Sequence, residues 1–120
     1  MKKEFYSNGK LLITGEYLVL DGAKAFALPT KFGQNLVVEK GSNQEIQWTS
    51  FDSDGSIWLE ETLSFEDILQ KNIADPATSK RNTLIEILHQ GHLLNPDFIP
   101  NSEGFHIKTT LTFPRNWGLG

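Results

Sequence analysis

The sequence predicts an α+β fold in one small domain: a mostly antiparallel β-sheet with one main helix. Three observations carry this. Short β-prone runs, separated by turn residues, fill the first sixty positions, and a further alternating run returns at Phe105–Phe113. Only one long stretch, ending near Leu93, repeats its apolar residues at helical spacing. With 120 residues and 38% apolar content, the chain suits one core rather than two.

Taken in order, Leu11–Ile13 and Tyr17–Leu20 are apolar and β-prone, and Asp21-Gly22 is a hairpin signal. Ala23–Leu28 returns as a small-residue strand that Pro29 ends. Phe32–Glu39, Glu45–Phe51 and Ser56–Leu63 read as three more strands, punctuated by Gly41-Ser42-Asn43 and Asp52-Ser53-Asp54-Gly55. In the last of them Ile57, Leu59 and Leu63 point one way, while Trp58, Glu60 and Thr62 point the other. Phe65, Ile68 and Leu69 within Ser64–Asn72 fit a short helical turn better than a strand. Asp75-Pro76 supplies an N-cap followed by proline at the first helical position, and Leu84, Ile87, Leu88 and Gly91 recur at the helical period. Asn95-Pro96 stops that helix. Phe105, Ile107, Thr109, Leu111 and Phe113 then alternate with polar residues in a clean strand that delivers the chain to Gly118-Leu119-Gly120.

Composition excludes several function classes. A net charge of −4 offers no basic stripe for nucleic acid. No cysteine is present, which rules out disulfides and thiolate metal sites. No apolar run approaches the ~20 residues that span a bilayer, and Glu4, Ser7, Asn8 and Lys10 interrupt any signal-peptide core after Met1-Lys2-Lys3. No membrane partner and a cytoplasmic location are the expectation. Asp52-Ser53-Asp54-Gly55 has its glycine too early for a calcium loop and no closing glutamate. His89 and His92 share a helix face without a carboxylate partner or a metal motif, so they read as surface and core-edge histidines.

Two stretches carry chemistry. Ser7-Asn8-Gly9-Lys10-Leu11-Leu12-Ile13-Thr14-Gly15-Glu16-Tyr17 runs from a turn, through an apolar strand, to a glycine followed by a Glu-Tyr pair. Pro114-Arg115-Asn116-Trp117-Gly118-Leu119-Gly120 is a glycine-rich loop leaving a strand. Glycines let backbone N–H groups crowd an anion without Cβ clashes, which is what holding phosphates requires. Alone, Gly-x-Gly is a weak signal, and a lysine at a strand start is most often a solvated charge. Gly9-Lys10 is not a Walker A end either, because Leu11 follows in place of Ser or Thr.

Together the two stretches resemble the N-terminal signatures of the GHMP kinases, the family of galactokinase, homoserine kinase, mevalonate kinase and phosphomevalonate kinase. That family opens with Pro-Gly-Lys, an apolar strand and Gly-Glu-His or Gly-Glu-Tyr, and later carries Pro-x-x-x-Gly-Leu-Gly-Ser-Ser-Ala. Asn8 stands where the family has its first proline, at the expense of some rigidity in the turn. The Gly-Glu-Tyr form followed by Leu18-Val19-Leu20 looks most like the mevalonate and phosphomevalonate kinase branch.

The resemblance implies a mixed sheet with an uncommon left-handed βαβ crossover. It implies ATP with Mg²⁺ and a small-molecule acceptor as partners. Lys10 would stabilise charge on the transferred phosphoryl group or adjust the acceptor hydroxyl, Glu16 and Tyr17 would shape the substrate and nucleotide cleft, and Gly118, Leu119 and Gly120 would wrap the phosphates. The family's catalytic aspartate, the Ser-Ser that meets magnesium and a later glycine motif fall beyond residue 120. Residues 1–120 are therefore expected to be a truncated N-terminal GHMP kinase-like domain. As an isolated fragment it should be inactive, bind no cofactor tightly and self-associate through the Phe105–Phe113 strand, by its uncovered apolar face and edge or by exchanging it between copies. The other reading is a non-catalytic β-rich binding or interaction domain.

Overall fold

Among the residues that the computed structural model describes (2–14, 22, 24–73 and 79–119), five strands form a single mixed sheet. In chain order they are β1 (Lys2–Thr14), β2 (Phe26–Lys40), β3 (Glu45–Phe51), β4 (Ile57–Ser64) and β5 (Phe105–Leu111). Helices α1 (Phe65–Leu69) and α2 (Lys80–Leu94) lie between β4 and β5. Across the sheet the order is β1-β2-β5-β3-β4, and every neighbouring pair is antiparallel except β3 with β5. That parallel pair needs a long connection to bring the chain back to its starting end, and β4 with the two helices supplies it. The α+β class and the mixed, mostly antiparallel sheet expected from the sequence are what the chain forms.

Strand register places Ile46, Trp48 and Ser50, Leu59 and Leu63, and Phe105, Ile107 and Thr109 on one face. The helices close that face, so Phe65, Ile68, Leu84 and Ile85 join Ile46, Leu63 and Ile99 in the core. Its buried hydroxyls are paired: Thr109 donates to Ser50 Oγ at 2.7 Å, and Trp48 Nε1 donates to the same oxygen at 3.0 Å. α1 is the short helical turn read at Phe65–Leu69, capped by Ser64. The helix start read at Asp75-Pro76 lies outside the described residues, and α2 is described from Lys80. Its N-cap is Ser79, whose hydroxyl accepts the Asn82 N–H at 3.1 Å.

Several local expectations change. On α2 the buried side is Leu84 and Ile85 with Leu88 beside them, whereas Ile87 is 58% exposed. In β4 the alternation holds at Leu59 and Leu63 but not at Ile57, which is 51% exposed. There Ser50 faces Leu59 and Phe51 faces Ile57, so Trp58 is an extra residue that turns the chain over. Ser7-Asn8-Gly9 is not a turn but the middle of β1, and Pro29 does not end a strand but lies inside β2. One irregularity accommodates both, because the register passes from Asn8 opposite Gly33 to Lys10 opposite Pro29. Pro29 is tolerated because β2 pairs with β5 only over Gln34–Lys40, leaving no ladder donor to lose on that side among the described residues. The predicted strand Tyr17–Leu20 lies outside the described residues. Gly22 (φ 86°) sits in the left-handed region that the hairpin reading requires.

β5 is flanked by β2 and β3, so its backbone groups are used on both sides, and Phe113 beyond it is 4% exposed. The expected association edge at Phe105–Phe113 therefore does not exist. Among the described residues no helix is long and apolar enough to cross a membrane.

Helices α1 and α2 are also tied by Arg81, whose Nη2 donates to Asp67 Oδ2 at 2.9 Å, while Asn72 Nδ2 donates to Oδ1 at 3.0 Å. The Asn72 bond first, and the Arg81 bond next, hold the Asp67 carboxyl below its ordinary range. A depressed folded pKa contributes stability that is complete above the unfolded carboxylate value, about 3.9, and is lost as pH falls through the folded value. Arg81→Met is expected to cost about 0.5–1 kcal/mol at pH 7, the scale of a solvent-accessible pair. Urea melts between pH 7 and pH 2 should show that difference shrinking toward the acid end.

Candidate functional site

The two chemistry-bearing stretches, more than a hundred positions apart, meet. Lys10 N–H donates to the Leu119 carbonyl at 2.7 Å. Gly9 makes the approach possible: a Cβ there would stand 2.8 Å from Leu119 O, 3.1 Å from Leu119 Cβ and 3.2 Å from Phe32 O. Gly9 and Leu119 are both buried in this contact, while the Lys10 side chain is exposed. The strand that carries the lysine and the loop that carries the glycines are thus fastened by their backbones.

The β1–β2 irregularity builds the platform under that contact. Gly9 alone faces the stretch Thr30-Lys31-Phe32, and three bonds hold the bulge in shape. Asn8 Nδ2 donates to the Thr30 carbonyl at 2.7 Å, Thr30 Oγ1 donates to the Phe32 carbonyl at 2.7 Å, and the Tyr6 hydroxyl donates to the Lys31 carbonyl. Asn8, in place of a proline, therefore does not loosen a turn. Its amide pins the bulge, which a proline there could not do.

The glycine loop does not leave β5 directly. After Pro114 the chain makes a 3-10 turn at Arg115–Trp117 and enters Gly118, which is left-handed at φ 69°. Nothing lies within 4 Å of where a Gly118 Cβ would sit, so this part of the backbone opens to free space. Trp117 is 53% exposed and stands edge-on to Phe32, with ring centroids 5.6 Å apart. The exposed Lys31 lies 5.9 Å from the Phe32 ring centre, on the same bulge.

Of the residues singled out from the sequence, Lys10, Gly118 and Leu119 are brought together. Glu16, Tyr17 and Gly120 lie outside the described residues. Sequence reading missed the Thr30-Lys31-Phe32 bulge and the Phe32–Trp117 contact. The available signal was Pro29 inside a β-prone run, which marks a bulge as readily as a strand end. Asp52-Ser53-Asp54-Gly55 forms the β3–β4 hairpin turn, with Gly55 at φ 87°. The Ser56 hydroxyl, at 2.6 Å, and the Ser56 N–H hold the Asp54 carboxyl below its ordinary range.

No protein-family model matches this sequence, and neither does any curated protein. Solved structures do resemble it. The mevalonate kinase of Methanococcus jannaschii superposes with a TM-score of 0.64 at 21% identity, over 99% of this chain and 34% of its own. A second mevalonate kinase gives 0.61 at 19% identity, over 96% and 33% respectively. Lactococcus lactis galactokinase, solved with galactose, gives 0.65 at 14% identity, over 99% and 28%. The chain therefore spans about a third of the length of these structures or less, and over that span it has the fold of the GHMP kinases.

Proposed function

We propose that this chain is the N-terminal part of an ATP-dependent small-molecule kinase. It would transfer the γ-phosphoryl group to a hydroxyl or phosphate of a small metabolite of the mevalonate or phosphomevalonate kind. The observation that carries the proposal is the 2.7 Å bond from Lys10 N–H to the Leu119 carbonyl, which places a lysine beside a glycine loop within a GHMP kinase fold.

Phosphoryl transfer asks the protein mainly to hold phosphates, neutralise their charge and place the acceptor in line. Gly118 presents its backbone to open space beside the seated Leu119, which leaves room for an anion to approach the loop. Lys10 projects from the strand fastened to that loop, where a fixed ammonium stabilises charge on the group in flight. Glu16 and Tyr17 are assigned to the acceptor side on the family pattern, as is Gly120 to the phosphates. Mg²⁺ would enter with ATP and supply charge neutralisation at its phosphates.

An ATP-consumption screen of the full-length protein against mevalonate, phosphomevalonate, homoserine and sugars tests the proposal. One acceptor is expected to drive turnover, while residues 1–120 alone drive none, since the base and the magnesium ligands lie elsewhere on this reading. A full-length protein that consumes no ATP with any acceptor would return the chain to a non-catalytic binding domain. Steady turnover by residues 1–120 would overturn the assignment of the missing groups.

A further inference from the structure

We propose that Trp58 is a positioning residue for the glycine loop, holding the Arg115–Trp117 turn against the β3–β4 hairpin. As a role in catalysis, this rests on the phosphate-binding reading of the loop. The Arg115 guanidinium lies over the Trp58 ring, 4.3 Å from its centroid, and Lys80 Nζ lies over the same ring at 5.3 Å. Lys80 Nζ also donates to the Trp58 carbonyl at 3.3 Å, and Arg115 N–H donates to Asp52 Oδ1 at 3.3 Å. Trp58 Nε1 is buried without a hydrogen-bond partner among the described residues, so the indole is engaged through its face.

The sequence pattern hides this role, because simple alternation leaves Trp58 on the polar side of β4. The extra residue in β4 is what turns its ring to Arg115 and Lys80. The segment from Arg115 to Leu119 is then fastened at both ends. Trp58 and Asp52 hold its start, and Lys10 N–H holds its finish. Loosening the start removes no phosphate ligand. It lowers the fraction of time that Gly118 and Leu119 stand in the binding geometry, and apparent nucleotide affinity falls by that fraction.

Amide hydrogen exchange of Lys10 in the 120-residue chain reads the fastening directly, since that amide is protected only while Leu119 is seated. Trp58→Leu should speed its exchange roughly 5- to 30-fold, the loss of the Arg115 cation–π contact on a half-buried ring, with the amides of β2 and β5 unchanged. Trp58→Phe keeps a ring face and should stay within about threefold of the parent. Arg115→Met should reproduce the Trp58→Leu effect from the protein surface, and the double variant should add little to either single one. In the full-length protein, Trp58→Leu should raise KM for ATP more than it lowers kcat. Unchanged Lys10 exchange in both Trp58→Leu and Arg115→Met, or strictly additive effects in the double variant, would overturn the assignment. The exchange result needs no catalysis, so failure of the kinase reading and failure of this one are distinguishable.

Discussion

Lys10→Ala in the full-length protein is expected to lower turnover by roughly 10²–10³, the scale for losing one preorganised electrostatic group at a reacting centre. The substitution leaves the fold alone. Its side chain is exposed, and the bond that seats the glycine loop is made by its backbone N–H, which alanine keeps. A drop in turnover would therefore report charge rather than unfolding. Lys10→Arg should recover little, because a planar fork does not replace a compact ammonium on a flexible stem. Steady-state rates with saturating ATP and acceptor, beside matched melting curves, make the comparison. Unchanged turnover in the alanine variant would make Lys10 an ordinary surface charge.

The largest effect on stability is expected at Gly33. Three segments converge there: Asn8 of β1 lies opposite, Gly33 N–H donates to Thr112 Oγ1 at 2.8 Å, and Thr112 N–H donates to the Gly33 carbonyl at 2.9 Å. A Cβ would stand 2.0 Å from the Ser7 carbonyl oxygen and 2.9 Å from Tyr6 Cζ. The first of these is backbone in the middle of a strand and cannot swing aside. Gly33→Ala should therefore cost roughly 3 kcal/mol, the upper range for overpacking. Thermal unfolding should report this as a Tm lower by about 10–15 °C for a domain of this size. Because β1 must shift to relieve the clash, protection of the Lys10 amide should fall as well. A variant that melts with the parent would mean that the β1–β2 bulge is softer than its bonds suggest.

Much of the architecture was legible in the chain. The alternation of Phe105–Phe113 and the β-prone runs at Glu45–Phe51 and Ser56–Leu63 lie close to the observed limits of β5, β3 and β4. Period alone was less informative where a strand carries an extra residue. Ile57 and Trp58 exchange roles at the β4 bulge, and a bulge leaves no mark on hydrophobic pattern. Ile87 and Ile85 exchange roles on α2 for a related reason: both fit a helical stripe, and the direction of the sheet chooses between them. Ser7-Asn8-Gly9 and Pro29 were read as breaks because turn residues and bulge residues are the same residues.

By itself, then, the sequence determined the two stretches on which the proposed phosphate site rests: a lysine after a glycine at the front and a glycine loop at the back. It also determined a sheet with one main helix, since periodicity and turn chemistry are local properties. Tertiary structure decided that these two stretches touch, through a backbone bond between Lys10 and Leu119 that no local pattern encodes. It decided that β5 lies between β2 and β3 rather than at an edge, because strand order depends on which apolar faces can be buried together. And it gave Trp58 its partners, since the meeting of Arg115, Lys80 and one indole exists only once β4, α2 and the loop have packed.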